Sequence, residues 1–371
     1  MDRTTVLALL GIKAQTLYAY VSRGQVGMQP DPADPRRSLY RAEDVEALRT
    51  RRRRGRRISA VAASTMAWGE PSIETAISTV RHAQLLYRGQ DAVALAETAS
   101  CEAVATLLWD CGRAVAFPAS PTERRDPFSA LAGLIPPSQP ALGRHADKLH
   151  ADAERAIACL AGALGAEASS LPLHLRLARG WHLGVAAAAP IRMALVLIAD
   201  HELNASTFAV RVAASTGASM AACLLAGLST LSGPRHGGAA NAAMALIAEA
   251  RITGAIPALT RHLAMGQALP GFGHPLYPAG DPRATALLRA LPADPRIMQL
   301  CEAAATLTGT QPNIDFALAA FATSGTMPAD APFRLFALGR SLGWVAHAVE
   351  QLQKGRLIRP RGIYTGPLPP P

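Results

Sequence analysis

The sequence is short of aromatic residues, of paired cysteines and of long hydrophobic runs, and each shortage excludes a class of protein. Phe, Trp and Tyr make up only 5% of the 371 residues, although 50% are hydrophobic. The core must therefore be built from Ala, Leu and Val, and this composition predicts a mainly helical protein. A chain of this length can bury a large core and is expected to hold more than one domain.

The five cysteines show no CxxC spacing and are odd in number: Cys101, Cys111, Cys159, Cys223 and Cys301. This pattern predicts reduced, buried thiols rather than a disulfide framework or a zinc site. No apolar run is long enough to cross a bilayer, and the N-terminus lacks a hydrophobic signal region. We therefore expect a cytoplasmic protein without membrane segments and without a metal site.

The positive charge is concentrated at the N-terminus. Residues 1–57 contain 13 Lys and Arg against 6 Asp and Glu, a net charge of +7. The remaining residues contain 24 basic against 21 acidic side chains, a net charge of only +3. This asymmetry predicts that an anionic polymer is the partner of residues 1–57.

The first residues also carry a recognisable helical pattern. Two short helices, 3–10 and 13–22, surround a turn at Gly11, and the Pro- and Asp-rich residues 29–40 are expected to form a wing. Another helix begins at Arg41. The signature LGIKAQTLYAYVSRG followed by RRSLYRAEDVEAL resembles the winged helix-turn-helix of MerR and excisionase proteins. That resemblance implies binding to duplex DNA, with helix 13–22 in the major groove and arginines on phosphates. The alternative is a solvated basic linker with a small structural helix pair.

After a hinge at residues 58–70, the pattern from Ile73 to Leu183 predicts helices throughout, interrupted by a polar break at 87–91. The stretch 199–241 is more informative. It begins with Asp200, His201 and Glu202, continues as an alanine-rich segment that predicts a buried helix, and ends at Gly233-Pro-Arg-His236-Gly-Gly. A core helix needs no such polar hinges, so we expect an active site here.

The expected chemistry of this stretch follows from its position beside helix ends. The predicted helix 239–251 begins just after His236, and its positive end disfavours the imidazolium form. A neutral imidazole can donate a hydrogen bond to a developing enolate oxygen.

A second polar group follows at residues 269–283. The loop Pro270-Gly271-Phe272-Gly273 can present backbone N–H groups to phosphate or adenine, although glycine-rich loops alone are weak evidence. His274 can protonate a carbonyl oxygen, and Arg283 offers a bidentate fork to a carboxylate.

The last polar residues lie in the C-terminal part of the chain. Asp315 stands at the start of an apolar helix, where ionisation is favoured, as a general base requires. Arg340 lies in an apolar helix, and Arg359 lies in the tail. Each residue has a structural alternative, with Asp315 as an N-cap, Arg340 in a buried ion pair and His274 as a loop histidine. Together they suit proton abstraction beside a carbonyl with a multiply carboxylated substrate.

Six ordered motifs extend this interpretation: DHELNAST, GPRHGGA, GFGHPLY with GDPRA, PNIDF, GRSLGWVAH and IRPRGIYTG. In this order they resemble the citrate synthase family over residues 60–366. The resemblance implies an all-α fold, a large and a small helical domain, and a homodimer. The implied boundaries are 1–57 for the basic module, 58–236 for the first part of the large domain, 237–333 for the small domain and 334–371 for the large-domain end and tail.

The resemblance also implies a role for each residue. Asp315 would take a proton from the acetyl-CoA methyl group, and His236 would stabilise the enol. His274 would protonate the keto oxygen of oxaloacetate. The remaining positions would bind substrates: His201, Asn204, Arg283 and Arg340 the oxaloacetate, Arg359 the same ligand across the dimer interface, and Pro270, Gly271, Phe272 and Gly273 the CoA.

The implied activity is an acyltransferase that condenses acetyl-CoA with oxaloacetate, with no permanently bound cofactor. A 2-methylcitrate synthase using propionyl-CoA is an alternative, because one methyl group is worth only about 1–3 kcal/mol of discrimination. A DNA-binding regulator with a ligand-sensing synthase-like domain is another. Pro278 stands where bacterial relatives often carry a basic residue, so lower CoA affinity, or charge from Arg235, is expected.

Overall fold

The computed structural model describes residues 1–10, 17, 20–21, 26–31, 34, 38–46, 73–120, 126–325, 327–362 and 364–366. Two compact units divide the chain, Met1–Glu74 and Thr75–Pro371. The first unit contains helix α1 (Arg3–Leu10) and an antiparallel pair of strands, β1 (Met28–Pro30) and β2 (Ser38–Tyr40). Val6, Val26 and Tyr40 belong to its small apolar core. The two strands fall where a wing was expected, whereas most of the predicted helix 13–22 lies outside the described residues.

The second unit opens with a small sheet rather than a helix. Strands β3 (Ser78–Arg81), β4 (Gln84–Tyr87) and β5 (Gln90–Asp91) pair antiparallel in that order. The prediction of helix from residue 73 onward was therefore wrong for residues 78–86, and the predicted polar break at 87–91 contains the end of β4 and strand β5. Positive φ angles of 49° at His82 and 61° at Ala83 make the tight turn between β3 and β4. Leu85 and Tyr87 alternate with less buried neighbours, as a half-buried strand requires.

The rest of the second unit is helical, in agreement with the predicted all-α class. Its helices are α2 (Ala92–Thr98), α3 (Cys101–Trp109), α4 (Pro127–Gly133), α5 (Ala146–Ala163), α6 (Leu173–Gly180), α7 (Ala188–Leu197), α8 (Ala205–Ser215), α9 (Met220–Leu231), α10 (Ala239–Thr253), α11 (Ala255–Ala264), α12 (Pro282–Ala290), α13 (Pro295–Thr308), α14 (Ile314–Thr323) and α15 (Ala331–Lys354), with a short 3-10 turn at Val185–Ala187. No helix in these described ranges is long and apolar enough to cross a membrane.

The alanine-rich segment after His201 forms two helices, not the single buried helix that was predicted. Helix α8 ends at Ser215, and Gly217 follows with a φ of 80°. Ser219 then caps α9 by accepting a hydrogen bond from the Ala222 amide. A left-handed glycine followed by a capping serine ends one helix and starts another, even where hydrophobicity is continuous.

Helix α15 is the centre of the larger apolar core and packs against α3, α5, α7, α8 and α9. Leu335, Leu342 and Trp344 are among its buried side chains. A second, smaller core contains Ala243, Leu259 and Phe316, from α10, α11 and α14. The five cysteines, all described, form no disulfide, but only Cys101 and Cys223 are buried, fewer than predicted.

Candidate active site

Helix ends bring the predicted histidines into one region. His201 lies in the turn between α7 and α8, and His274 lies in the loop before α12. Their rings meet edge to face, with centroids 5.2 Å apart. Tyr277 completes this group, because its hydroxyl is 2.9 Å from His201 Nε2. Burial, followed by Arg283, Arg340 and His274, holds the pKa of His201 well below its usual range, so the ring is neutral.

His274 has a defined tautomer in its neutral form. The Leu276 amide donates to His274 Nδ1 at 3.2 Å, so the ring proton lies on Nε2. Burial and the nearby Arg283 lower the pKa of His274 to about 4. A neutral imidazole with a proton on Nε2 can donate to a carbonyl oxygen.

Arg283 lies at the start of α12 in a buried pair with Asp281. Its Nε donates to Asp281 Oδ1 at 2.9 Å and its Nη2 to Asp281 Oδ2 at 2.8 Å. Burial lowers the pKa of Arg283, but the charge and hydrogen bonds of Asp281 outweigh it and raise that pKa overall. Asp281 Oδ2 also accepts the Ile314 amide at 3.1 Å, which ties α12 to the start of α14. Asp281 lies within the motif GDPRA, but this pairing was not predicted.

His236 forms a second group with residues of α8. Its Nε2 is 2.8 Å from Ser206 Oγ, and Ser206 donates to Asn204 Oδ1 at 2.8 Å. Trp344 Nε1 donates to the same hydroxyl at 3.2 Å. Burial, followed by the charge of Arg340, lowers the pKa of His236 to about 4. The neutral form was expected from the helix end, but burial is the larger cause.

Asn204 has a structural task as well. Its Oδ1 accepts the Thr207 amide at 3.1 Å and so caps α8, while its Nδ2 donates to the His201 carbonyl at 3.4 Å. Asn204 therefore connects His201 with the group around His236. The contact between Ser206 and His236 was not predicted. The position of Ser206, two residues after the capping asparagine, does not indicate such a contact in the sequence.

Asp315 lies in the first turn of α14, but it is not the helix cap. Asn313 is the cap, and its Oδ1 accepts the Asp315 amide at 3.0 Å. Burial is the largest influence on Asp315 and raises its pKa to about 6, against the opposing charge of Arg283. The prediction that ionisation of Asp315 is favoured was therefore wrong, because the loss of solvent around the carboxyl group outweighs the effect of the helix end.

Arg340 is almost fully buried in α15. Its Nε donates to the Ile198 carbonyl at 2.8 Å, and its guanidinium lies 4.8 Å from the centre of the Phe336 ring. No carboxylate within the described residues lies in ion-pair distance of it, which contradicts the alternative of a buried ion pair. Burial lowers the pKa of Arg340 to about 10, so it remains charged near neutral pH.

The loop 270–273 packs against the start of α14. Gly273 N–H donates to the Gln311 carbonyl at 2.8 Å, and Phe272 N–H to Leu269 at 3.2 Å, so both amides are already used inside the protein. Gly271 has a φ of 79°, and a Cβ there would lie 2.8 Å from Phe316 Cβ. Glycine is therefore required at this position, both for conformation and for space.

Arg359 is the one predicted site residue that the structure does not bring to this region. It lies exposed in the tail after α15. No hydrogen bond or ion pair joins it to the other predicted residues in the described part of the chain. No group of His, Cys, Asp or Glu side chains among the described residues is arranged to hold a metal ion.

Comparison with known proteins agrees with this fold. The family model for the citrate synthase C-terminal domain matches residues 149–361. The chain therefore belongs to the citrate synthase family. It is 37% identical over 185 residues to citrate synthase 2 of Bacillus subtilis (strain 168), covering 47% of this chain and 50% of that protein. It is 36% identical over 188 residues to the 2-methylcitrate synthase of Shewanella oneidensis, covering 48% of this chain and 50% of that protein. The chain thus spans about half the length of the curated relatives it matches.

Solved structures support the fold over a larger part of the chain. Citrate synthase from Thermotoga maritima MSB8 matches with a TM-score of 0.66 at 24% identity, covering 82% of this chain and 96% of that one. A ternary complex is also similar, that of citrate synthase from Thermoplasma acidophilum with carboxymethyl coenzyme A and oxaloacetate. Its TM-score is 0.59 at 23% identity, and the match covers 83% of this chain and 97% of that one.

Proposed function

We propose that this protein condenses an acyl-CoA with oxaloacetate, as a citrate or 2-methylcitrate synthase does. The observation that carries the proposal is the half-buried carboxyl group of Asp315, whose pKa burial raises to about 6 within the electrostatic reach of Arg283 and Arg340. The pKa values of His236 and His274 are both lowered to about 4, so both rings are neutral. The names of the relatives support the same reaction. They give no support to the alternative of a DNA-binding regulator.

The first step is proton transfer from the carbon beside the thioester carbonyl to Asp315. A base with a pKa near 6 is largely ionised at neutral pH and still accepts a proton better than an ordinary carboxylate. His236 would donate a hydrogen bond to the developing enol oxygen. Donation from Nδ1 requires Nε2 to accept the single Ser206 proton, so this hydroxyl would have to turn from Asn204 Oδ1 toward His236.

The second step joins the two substrates. The enol carbon attacks the keto carbon of oxaloacetate, and His274 gives its Nε2 proton to the keto oxygen as the carbon–carbon bond forms. The ring would then be reprotonated, through solvent, by the proton that Asp315 took from carbon, which restores both groups. His201, held by Tyr277, would donate to the same substrate. Water then hydrolyses the thioester, which releases CoA and the tricarboxylate.

Charged groups would hold the two carboxylates of oxaloacetate. Arg340 is suited to this because its guanidinium is buried and forms no ion pair with any residue that the structure describes. Arg283 shares its Nε and Nη2 with Asp281 and would contribute through Nη1. We propose that Arg359 reaches the site of a partner subunit in a homodimer. The large and small domains, divided at residues 236–237 and 333–334, would close around the substrates.

CoA would lie beside the loop 270–273. Since Phe272 and Gly273 already use their amides, this loop would contribute shape more than hydrogen bonds. Arg235, exposed beside His236, is the basic residue nearest in sequence to the site and would supply charge that Pro278 lacks. Replacing Arg235 with Ala should raise KM for the acyl-CoA several-fold and leave KM for oxaloacetate unchanged.

The activity is tested by the rate of CoA release from acetyl-CoA and from propionyl-CoA, each with and without oxaloacetate. We expect release that depends on oxaloacetate. The ratio of the two values of kcat/KM identifies the acyl substrate. A protein that releases no CoA from either thioester would contradict the proposal.

Residues 1–57 would form a separate DNA-binding module, as their charge and motifs predict. The proposal is supported by the antiparallel strands β1 and β2 where a wing is expected, and by the net charge of +7. A shift of duplex DNA that weakens with salt would support it. If no shift is seen at low salt, residues 1–57 do not bind DNA and serve only as a tether. The cytoplasmic location stays a prediction.

A further inference from the structure

Two buried side chains of opposite charge lie beside the site without a direct ion pair between them. Asp200 precedes His201 and is fully buried, and Arg340 is 2% exposed. Arg340, Gly343 and His347 follow one another at intervals of three and four along α15, so they line one face of that helix. This face packs against the turn that contains Ile198, Ala199 and Asp200.

Close contacts fix the position of both charges on this face. Arg340 Nε donates to the carbonyl of Ile198, two residues before Asp200. The Gly343 amide donates to the Ala199 carbonyl at 3.0 Å. A Cβ on Gly343 would lie 2.3 Å from Asp200 Oδ1, so the carboxylate sits directly against the helix.

The contacts of Asp200 give it no arginine or lysine partner among the described residues, although His347 lies within ion-pair distance. Its Oδ2 accepts from Ser78 Oγ and from His347 Nε2, the latter at 3.2 Å. Arg211 Nε donates to His347 Nδ1 at 2.9 Å, so His347 contacts Asp200 through its Nε2 proton. The other oxygen, Oδ1, is buried and has no hydrogen-bond partner.

The neighbouring charges are already matched elsewhere. Arg211 forms an ion pair with Glu350, and Arg283 forms one with Asp281. Asp200 and Arg340 are therefore left as the buried charges on this face with no ion pair to a permanent charge in the described part of the chain. Asp200 is also the acid that most opposes the effect of burial on the pKa of Arg340.

We propose that Asp200 is a built-in counter-charge for Arg340, which stabilises the empty site and weakens its hold on a substrate carboxylate. The inference rests on the proposed function, because it takes Arg340 as the carboxylate-binding residue. A buried cation needs a compensating charge. Asp200 supplies it through space, without occupying the hydrogen-bonding positions that a substrate carboxylate needs. Its repulsion of the carboxylate bound at Arg340 then favours release of the product.

The test replaces Asp200 with Asn, which keeps an oxygen for Ser78 and His347 but removes the charge. Oxaloacetate binding is measured by calorimetry, without acyl-CoA, and thermal unfolding is measured without ligand. We expect Asp200→Asn to lower the Tm of the empty protein and to tighten the Kd for oxaloacetate about tenfold, since one repulsive charge is removed. An unchanged or weaker Kd would overturn the proposal.

Ser78→Ala is the matched control. It removes one hydrogen bond from the same Asp200 oxygen and keeps the charge, so it should lower Tm and leave the Kd unchanged. If Ser78→Ala tightens binding as much as Asp200→Asn does, the effect belongs to packing of the turn, and the proposal is wrong.

A double-mutant cycle with Arg340→Met tests the pair without any ligand. The drop in Tm caused by Asp200→Asn should be smaller in the Arg340→Met background, because no buried cation is then left without a counter-charge. An equal drop in both backgrounds contradicts the proposal. If Asp200→Asn does not fold, the double variant is still expected to fold. If Arg340→Met folds but neither Asp200→Asn nor the double variant does, the proposal is also contradicted.

The two proposals fail in different ways. If the natural protein binds no oxaloacetate, the proposed function is wrong, whereas the cycle still reports on the charges of Asp200 and Arg340. If it binds oxaloacetate but Asp200→Asn binds no more tightly, only the counter-charge proposal is wrong.

Discussion

At the scale of single residues, the site combines three neutral histidines with one carboxyl group that titrates near neutrality. Burial lowers the pKa of His236 and of His274 to about 4, and that of His201 lies well below its usual range. Neutral rings can donate hydrogen bonds to oxygen atoms without competing for the proton that we propose Asp315 removes. The same burial raises the pKa of Asp315 to about 6. Burial therefore keeps the histidines neutral and also raises the pKa of the carboxyl group.

The raised pKa of Asp315 has a consequence for stability. Its folded value of about 6 exceeds the ordinary value of 3.8, so the folded state disfavours the ionised form. The cost is absent below the lower value, grows as pH rises through this range, and is fully present above it. Asp315→Asn should therefore be more stable than the natural protein at pH 7.5, by up to about 3 kcal/mol.

Thermal or denaturant unfolding at pH 4.5 and pH 7.5 checks this prediction. The advantage of Asp315→Asn should be much smaller at the lower pH. If the stability of the natural protein increases relative to that of Asp315→Asn as pH rises, neighbouring groups instead stabilise Asp315 in its ionised form.

At the scale of secondary-structure elements, close approach between α15 and the turn after α7 positions the site. Gly343 has no room for a side chain, because a Cβ would lie 2.4 Å from the Ala199 carbonyl oxygen and 2.3 Å from Asp200 Oδ1. The turn that carries His201 can therefore rest directly on the helix that carries Arg340. The sheet of β3–β5 supports the same turn from another side, since the Val80 amide donates to Glu202 at 2.6 Å.

Gly343→Ala should destabilise the protein by about 2–3 kcal/mol or more, because backbone atoms must move to admit the methyl group. It should also impair oxaloacetate binding, because His201 and Arg340 move apart. The matched control is Gly325→Ala, where a Cβ meets nothing within 4 Å. Equal stability of the two variants in urea unfolding would contradict the close contact.

The sequence predicts elements well where one strong signal is present and poorly where weak signals compete. The polar ends of α10 and α14 were located because His236 and Asp315 interrupt long apolar runs. Strands 78–91 were missed, since they are short and alternate over only a few residues each. The break between α8 and α9 was missed because Gly217 and Ser219 lie inside a continuous apolar segment. The contact of Ser206 with His236 depends on packing between distant residues, which no local pattern records.

At the scale of the whole molecule, the single chain brings nearly all the predicted site residues together, and Arg359 is the exception. Arg359 is exposed in the tail, where it could reach the site of a partner subunit, and this role stays a prediction. A mixing experiment tests it. Arg359→Ala and His274→Ala should each have little activity alone. Mixed dimers should regain activity, because one of their two sites then receives an intact Arg359 and contains an intact His274.

Recovery of up to about a quarter of the natural activity is expected after the two variants are unfolded together and refolded, if half the dimers are mixed and one site in each is intact. His274→Ala unfolded and refolded by itself serves as the control. If a mass measurement shows that mixed dimers have formed but no activity returns, Arg359 acts in the site of its own subunit or in no site.

The central claim is that Asp315 is the base of an oxaloacetate-dependent condensation. The most direct measurement is the steady-state rate of CoA release from the preferred acyl-CoA, with oxaloacetate, across pH 5 to 8, for the natural protein and for Asp315→Asn. We predict that kcat/KM of the natural protein falls below a pH of about 6, and that Asp315→Asn is slower by about 10²- to 10⁴-fold. A folded Asp315→Asn that releases CoA at the natural rate would contradict this role of Asp315.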